Sequence, residues 1–478
     1  MAGRRPGGSE GGRTLIAVAV LASFVAFLDG SVVNLALPAI SADLGGGLSL
    51  QQWVVDGYLL ALGALILVAG AISDAFGRLA VLRAGLVLFA VASIVCAVAP
   101  TGPALIAARC LQGMGAAFLV PSSLAMINEH FTGAAQSRAI GIWTAWTGTA
   151  FVVGPLLGGV LVDALNWRWI FAVNLIPLAA TLYLTTRLAP GPASGQARKI
   201  DATGAVLTAL GLTGTVFALI EQQHLGLFHP LVVIGFVVGV ACLAAFPWWE
   251  RRAPYPMMPL QIFASRNFSV TNAATVFLYA GVSLGLLLVT LFLQETAGFS
   301  ATWAGVATLP VPVLSFFLAA RFGALAGRHG PRLYMALGPL IAGAGFAVMA
   351  RVQEDFDFWT QLLPGVVLFA FGLTMTVSPL TATVLAAVDP SHSGVGSAVN
   401  NAVSRVAGLI AIANMAVIVG GTVDFDGFRQ GVLVVAGLFA TAGVISAFGI
   451  RNQPQNARRV APVVEASCHD RATPPPRR

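Results

Sequence analysis

From residue 14 to residue 450 the chain is a succession of apolar runs, most about 20 residues long, separated by short charged or Gly/Pro-rich interruptions. A helix of that length matches the roughly 30 Å hydrocarbon core of a bilayer. Breaking the sequence at the interruptions gives fourteen expected spans: 14–38, 51–72, 79–99, 103–126, 137–162, 168–188, 203–221, 229–249, 268–294, 302–321, 333–350, 361–387, 395–420 and 429–450. The fold class is therefore an all-α membrane protein. With 57% hydrophobic residues, 9% charged residues and 53 glycines, the chain is far more apolar than the roughly 45–50% of an ordinary soluble domain and must be solvated by lipid.

The net charge of +7 does not point to nucleic acid, because the arginines lie in short loops and form no basic patch interleaved with aromatics. Their distribution is topological. With an even span count and the N-terminus inside, 21 of the 26 basic residues fall on the inner side, three on the outer (Arg168, Arg351, Arg429) and two within spans (Arg109, Arg405). The excess of positive charge on cytoplasmic loops places both termini in the cytoplasm, with the chain in the inner (plasma) membrane. Arg4, Arg5 and Arg13 resemble the start of a signal peptide, but the apolar run after them is too long and contains Asp29, so it reads as an uncleaved first span. Cys96, Cys110 and Cys242 lie in apolar segments and Cys468 in the polar tail, without ligand-like spacing, so neither a disulfide nor a metal site is expected.

A weak internal echo organises the spans. Gly70-Ala-Ile-Ser-Asp-Ala-Phe-Gly-Arg78 recurs in degraded form as Gly323-Ala-Leu-Ala-Gly-Arg-His-Gly-Pro-Arg332, each after the second span of a six-span set. This predicts two six-helix bundles, 14–188 and 261–451, related as parallel repeats. Residues 189–260 form a linker that carries two inserted transmembrane helices. Residues 1–13 are a cytoplasmic tail, and 452–478, rich in Pro and Arg, are expected to be disordered.

Charged residues inside such spans are expensive and mark function by default. Asp29 stands in the first span, in Ala26-Phe-Leu-Asp-Gly-Ser-Val-Val-Asn34-Leu-Ala-Leu-Pro38. Arg109, Gln112, Gly113 and Ala116 share one helical face of span four, a polar and small-residue stripe expected to look inward toward Asp29. An arginine does not deprotonate at any useful pH, so Arg109 either modulates the protonation of a neighbouring carboxylate such as Asp29 or is a structural arginine that satisfies backbone carbonyls. Asp56, in Trp53-Val-Val-Asp-Gly-Tyr58, is either a second protonatable site or a cap at the water interface. In Gly154-Pro155-Leu-Leu-Gly158-Gly159 the glycines allow close helix approach and Pro155 bends the helix. Arg405, beside Asn400 and Asn401, is expected to serve helix–helix hydrogen bonding. Tyr58, Gln112, Trp143, Trp146, Phe151 and Tyr279 are candidates to line a cavity for aromatic or cationic compounds.

Four of these stretches together resemble the major facilitator superfamily, specifically its fourteen-helix drug/proton antiporters of the methylenomycin-resistance type. They are the Asp29 stretch, the Gly70, Asp74, Gly77, Arg78 loop, the Arg109 face and the Gly154–Gly159 signature. The resemblance spans all the helices and spares only the tails. It implies a conformational gate at Gly70, Asp74, Gly77 and Arg78, proton coupling at Asp29 and Arg109, and export rather than import at Gly154, Pro155, Gly158 and Gly159. A chain of this kind is expected to be a proton-coupled exporter of small hydrophobic or cationic compounds such as drugs or antibiotics. It would act as a monomer, without cofactor, driven by the proton gradient across the lipid bilayer. The alternative is a proton-independent facilitator or importer of the same fold. No enzyme is expected: Gly7-Gly-Ser-Glu-Gly11 spells G-x-S-x-G but lies in a polar tail with no strand before it, and no Walker motif is present.

Overall fold

The computed structural model describes residues 10–131, 133–188, 201–254, 256, 258, 260–388 and 393–452. The expectations for most of both tails and for the first part of the 189–260 linker, residues 189–200, lie outside the described residues. Among the described residues the regular structure is entirely helical. Lipid offers the backbone no hydrogen-bond partner, so each span must satisfy its own N–H and C=O groups, and a helix does so. In the first half, α1 is Glu10–Leu44, α2 Gly47–Phe76, α3 Arg78–Ala97, α4 Gly102–His130, α5 Gly133–Ala164, α6 Trp169–Ala172 and α7 Leu175–Thr185. A pair comes next, α8 (Ala202–Leu225) and α9 (Pro230–Glu250). The second half comprises α10 (Arg266–Leu291), α11 (Ala301–Ala307), α12 (Pro310–His329), α13 (Pro331–Met349), α14 (Leu363–Ala386), α15 (Ser393–Ala413), α16 (Met415–Val419) and α17 (Phe425–Gly449).

Among the described residues twelve helices are long and apolar enough to cross a membrane, against the fourteen expected. Two expected spans fall outside that set. One is α2, in which the side chains at several positions between 67 and 75 lie outside the described residues. The other is the apolar segment Trp169–Thr185, broken between α6 and α7 at Val173 and Asn174. Pro177 explains the break, because it has no N–H for the Val173 carbonyl and its ring crowds that group. Ile176 N–H takes the carbonyl instead at 3.3 Å, tightening the turn.

The two echo loops have matching local geometry. Gly77 ends α2 and precedes α3 at φ 91°, and Gly330 ends α12 and precedes α13 at φ 88°, a backbone region that favours glycine. Arg78 Nη1 donates to the Ala125 carbonyl of α4 and lies 3.3 Å from Glu129. Arg332 Nε donates to the Ala447 carbonyl of α17 at 2.6 Å. Each loop thus ties its helix pair to the end of another helix in its own half. The surroundings of Gly70 and the side chain of Asp74 lie outside the described residues.

The buried side chains show how the halves meet. One apolar cluster belongs to the first half alone apart from Ala402, joining residues such as Val18, Leu82, Leu119, Ile127 and Leu178. A second fills the second half and continues into the first through Val33, Leu37, Ile40, Leu50, Leu105 and Phe171. These residues all lie toward one end of the bundle, where α1 ends and α2 begins. The halves are therefore fused at that end.

Polar contacts close the same end. Gln52 Nε2 donates to the carbonyls of Ile412 at 2.7 Å and Ala413 at 3.2 Å, and Gln51 Nε2 donates to Glu295 Oε1 at 2.5 Å. Asp163, at the end of α5, accepts from the N–H groups of Ala301 (3.1 Å) and Thr302 (2.8 Å), so a carboxylate of one half caps a helix of the other. The pair α8 and α9 packs on itself and rests, through α8, on α2 and α15.

The Gly154–Gly159 signature divides its work between two neighbours. Gly154 and Gly158 press against Ser31 and Val32 of α1, while Pro155 meets Gly305 and Gly159 meets Thr302 of α11. A Cβ on Gly159 would stand 2.5 Å from the Thr302 Cα. Gly159→Ala is accordingly expected to push the fused end apart. With cysteines at positions 51 and 295, oxidative cross-linking should fall several-fold in Gly159→Ala and stay unchanged in Gly148→Ala, where nothing lies within 4 Å of the added carbon.

Candidate functional site

Asp29 sits in α1 with no exposure, and three side chains converge on it. From α4, Arg109 Nη1 donates to Oδ2 at 2.6 Å and Gln112 Nε2 donates to Oδ1 at 2.8 Å. From the start of the last helix of the first half, Asn174 Nδ2 donates to Oδ1 at 2.8 Å. Asp29 thus accepts three hydrogen bonds.

Arg109 is itself 1% exposed, and its guanidinium bonds through Nε and Nη1. Its Nε donates to the Val54 carbonyl at 3.0 Å and Nη1 also donates to Gln112 Oε1 at 2.6 Å. The cation lies 4.4 Å from the Tyr58 ring centre and 5.7 Å from that of Phe171. The Tyr58 hydroxyl donates to the Ala26 carbonyl at 3.1 Å, fixing its ring over the guanidinium. Gln112 Nε2 reaches Ser93 Oγ of α3 at 3.0 Å. Together these contacts make a dry ion pair with no net charge, held by α1, α2, α3, α4 and the broken segment before α7. The geometry matters because a buried pair is tolerated only when its remaining donors and acceptors are also satisfied.

The structure brings Asp29 and Arg109 together as expected from the polar face of α4. Gln112 and Tyr58, expected to line a substrate cavity, are instead parts of the ion-pair site. Ser93 and Asn174 are additions. Asn174 is placed by the Pro177 break, and a lone Asn beside that proline was the available sequence signal.

Asp56 does not join this site. It is fully buried, and neither carboxylate oxygen has a hydrogen-bond partner among the described residues, so the reading as a cap at the water interface does not hold. It shares a face of α2 with Gln52, which bonds α15, and with Leu60, which packs among Leu212, Val216, Ile220, Leu409 and Ala413 of α8 and α15.

The remaining candidates are dispersed. Trp143 Nε1 donates to Ser23 Oγ at 3.0 Å and so braces α5 on α1. Trp146 is exposed, Tyr279 is half-buried on α10, and the side chain of Phe151 lies outside the described residues. Asn400 Nδ2 donates to Asn272 Oδ1 (3.1 Å) and Thr275 Oγ1 (2.9 Å), the expected helix–helix bonding, whereas no such bond involves Arg405 among the described residues. No cluster of three or more potential metal ligands occurs among the described residues.

Residues 19–412 match the sequence model of the Major Facilitator Superfamily. The chain belongs to the major facilitator superfamily. The transporter is 36% identical over 411 residues to the puromycin resistance protein pur8 of Streptomyces alboniger, covering 83% of this chain and 80% of that one. It is 31% identical over 441 residues to the methylenomycin A resistance protein of Streptomyces coelicolor, covering 91% and 92%. A crystallised POT family transporter bound to a thioalcohol-conjugated peptide shares its fold at TM-score 0.69 and 13% identity, covering 91% and 95%. The transporter is therefore a multi-pass membrane protein and not an enzyme, with drug- and antibiotic-resistance transporters among its relatives.

Proposed function

We propose that the transporter exports small, largely hydrophobic compounds in exchange for protons, by alternating access between its two halves. The observation that carries this reading is Asp29, a buried carboxylate bound by Arg109, Gln112 and Asn174 in a state whose halves are fused at one end. If the arginine-poor side is the exterior, the fused end is the outer gate and this state opens to the cytoplasm. There Asp29 has released its proton and is held by Arg109. Substrate enters the cleft, the outer contacts around Gln52 and Asp163 part, and Asp29 takes a proton from outside as substrate leaves. Protonation removes one charge and one acceptor from the network, which releases Arg109 for new partners.

The obligatory exchange runs through Asp29, and Asp56 is a second protonatable group outside the Arg109 network, since a buried site without donors among the described residues tolerates the neutral acid better than the anion. The loop of Gly70, Asp74, Gly77 and Arg78 gates the opposite end. A driving force of about 150–180 mV gives roughly 4 kcal/mol per proton, enough for a concentration ratio near 10³. Relatives named for puromycin and methylenomycin A resistance support antibiotics as the cargo. The test is uptake of puromycin, methylenomycin A and a dye panel into everted vesicles with an imposed pH gradient. Accumulation that collapses with nigericin is expected, and gradient-independent equilibration would replace this reading with facilitated diffusion.

A further inference from the structure

Arg405 stands near the midpoint of the span Val395–Ala413, half-buried, with its guanidinium 5.9 Å from the ring centre of Phe27 on α1. That contact reaches across the cleft from the second half to the first. The ion pairs among the described residues are Arg78–Glu129, Arg109–Asp29, Arg168–Asp43 and Arg429–Asp426, so Arg405 has no carboxylate partner among them. Asp29, the carboxylate in α1, is already neutralised by Arg109 and closed off by three donors. Asp56 is fully buried, and both its oxygens are unbonded among the described residues, so it gives no counter-charge to Arg405 either. An intramembrane arginine normally pairs with a counter-charge or a carbonyl, and this one has neither among the described residues.

The space beside it is open. Gly30, one helical turn from Phe27, is exposed, and a Cβ built there meets nothing within 4 Å. Asn401, one turn before Arg405 on α15, is exposed as well. A cation beside the Phe27 ring, next to exposed positions of both halves, has the chemistry of a carboxylate-binding subsite, planar donors for the anion and an aromatic face for the attached ring.

The geometry points to Arg405 as the binding subsite for an anionic group on the substrate, so that the preferred cargo is an amphipathic organic acid with an aromatic or alicyclic body. This reverses the sign expected from the sequence, where aromatic residues suggested cationic cargo. It rests on the exporter reading in taking the cleft as the substrate path.

The test is equilibrium binding to the purified full-length protein in nanodiscs, with no gradient, using dansylglycine, its methyl ester and ethidium. The wild type is expected to bind the acid in preference to the ester and to ethidium. Arg405→Gln should weaken dansylglycine roughly ten- to hundredfold, the range for losing a charge-assisted hydrogen bond, while ester binding stays unchanged and reports an intact fold. Arg405→Lys should fall between. Absence of an acid preference in the wild type, whatever the absolute affinities, overturns the proposal. So does an acid preference that survives in Arg405→Gln, or a loss of acid and ester binding in equal measure in Arg405→Gln and Arg405→Lys. Because no gradient is applied, failure of proton-driven export in vesicles would sink the exporter reading and leave this result standing.

Discussion

Arg109→Ala is expected to abolish export and to destabilise the protein by roughly 3–5 kcal/mol, the cost of leaving a buried charge without its partner. The substitution removes the donor 2.6 Å from Asp29, the bond to the Val54 carbonyl and the cation stacked on Tyr58 at once. Asp29 keeps Gln112 and Asn174 but has no counter-charge in a site with no exposure. Arg109→Lys retains the charge, yet a lysine has no planar fork to serve Asp29, Gln112 and Val54 together, so partial coupling is expected. The check is a double-mutant cycle by thermal unfolding in detergent. Arg109→Ala combined with Asp29→Asn should be more stable than Arg109→Ala alone, since the second change removes the orphaned charge. Additive losses would mean that the two side chains do not act as a pair.

Much of this site was legible in the sequence for a simple reason. Charges inside apolar helices are too costly to be incidental, and the i, i+3 spacing of Arg109 and Gln112 fixes them on one face. Asp29 was then the carboxylate of the first span that this face could meet. Asn174 was harder to see because its position depends on the interruption at Val173 and Asn174, which a reading of 168–188 as one continuous span overlooks. Ser93 carries no signal, since a serine in an apolar helix commonly bonds its own backbone. The pattern at Gly154–Gly159 announced close packing but not that alternate members face different halves. Arg405 shows the opposite failure. Its neighbours Asn400 and Asn401 suggested a shared polar network, and only the three-dimensional arrangement reveals that Asn400 turns to α10 while Arg405 turns to Phe27 across the cleft.

Proton exchange at Asp29 once per cycle is tested most directly by Asp29→Asn, because asparagine resembles the neutral acid and cannot ionise. Purified wild type and Asp29→Asn are reconstituted in proteoliposomes, and accumulation of a compound transported by the wild type is monitored under an imposed pH gradient. Uphill accumulation should disappear in Asp29→Asn while downhill equilibration persists, since the halves can still move but the proton has no carrier. Continued accumulation against a gradient by Asp29→Asn would contradict the assignment and pass the coupling role to Asp56.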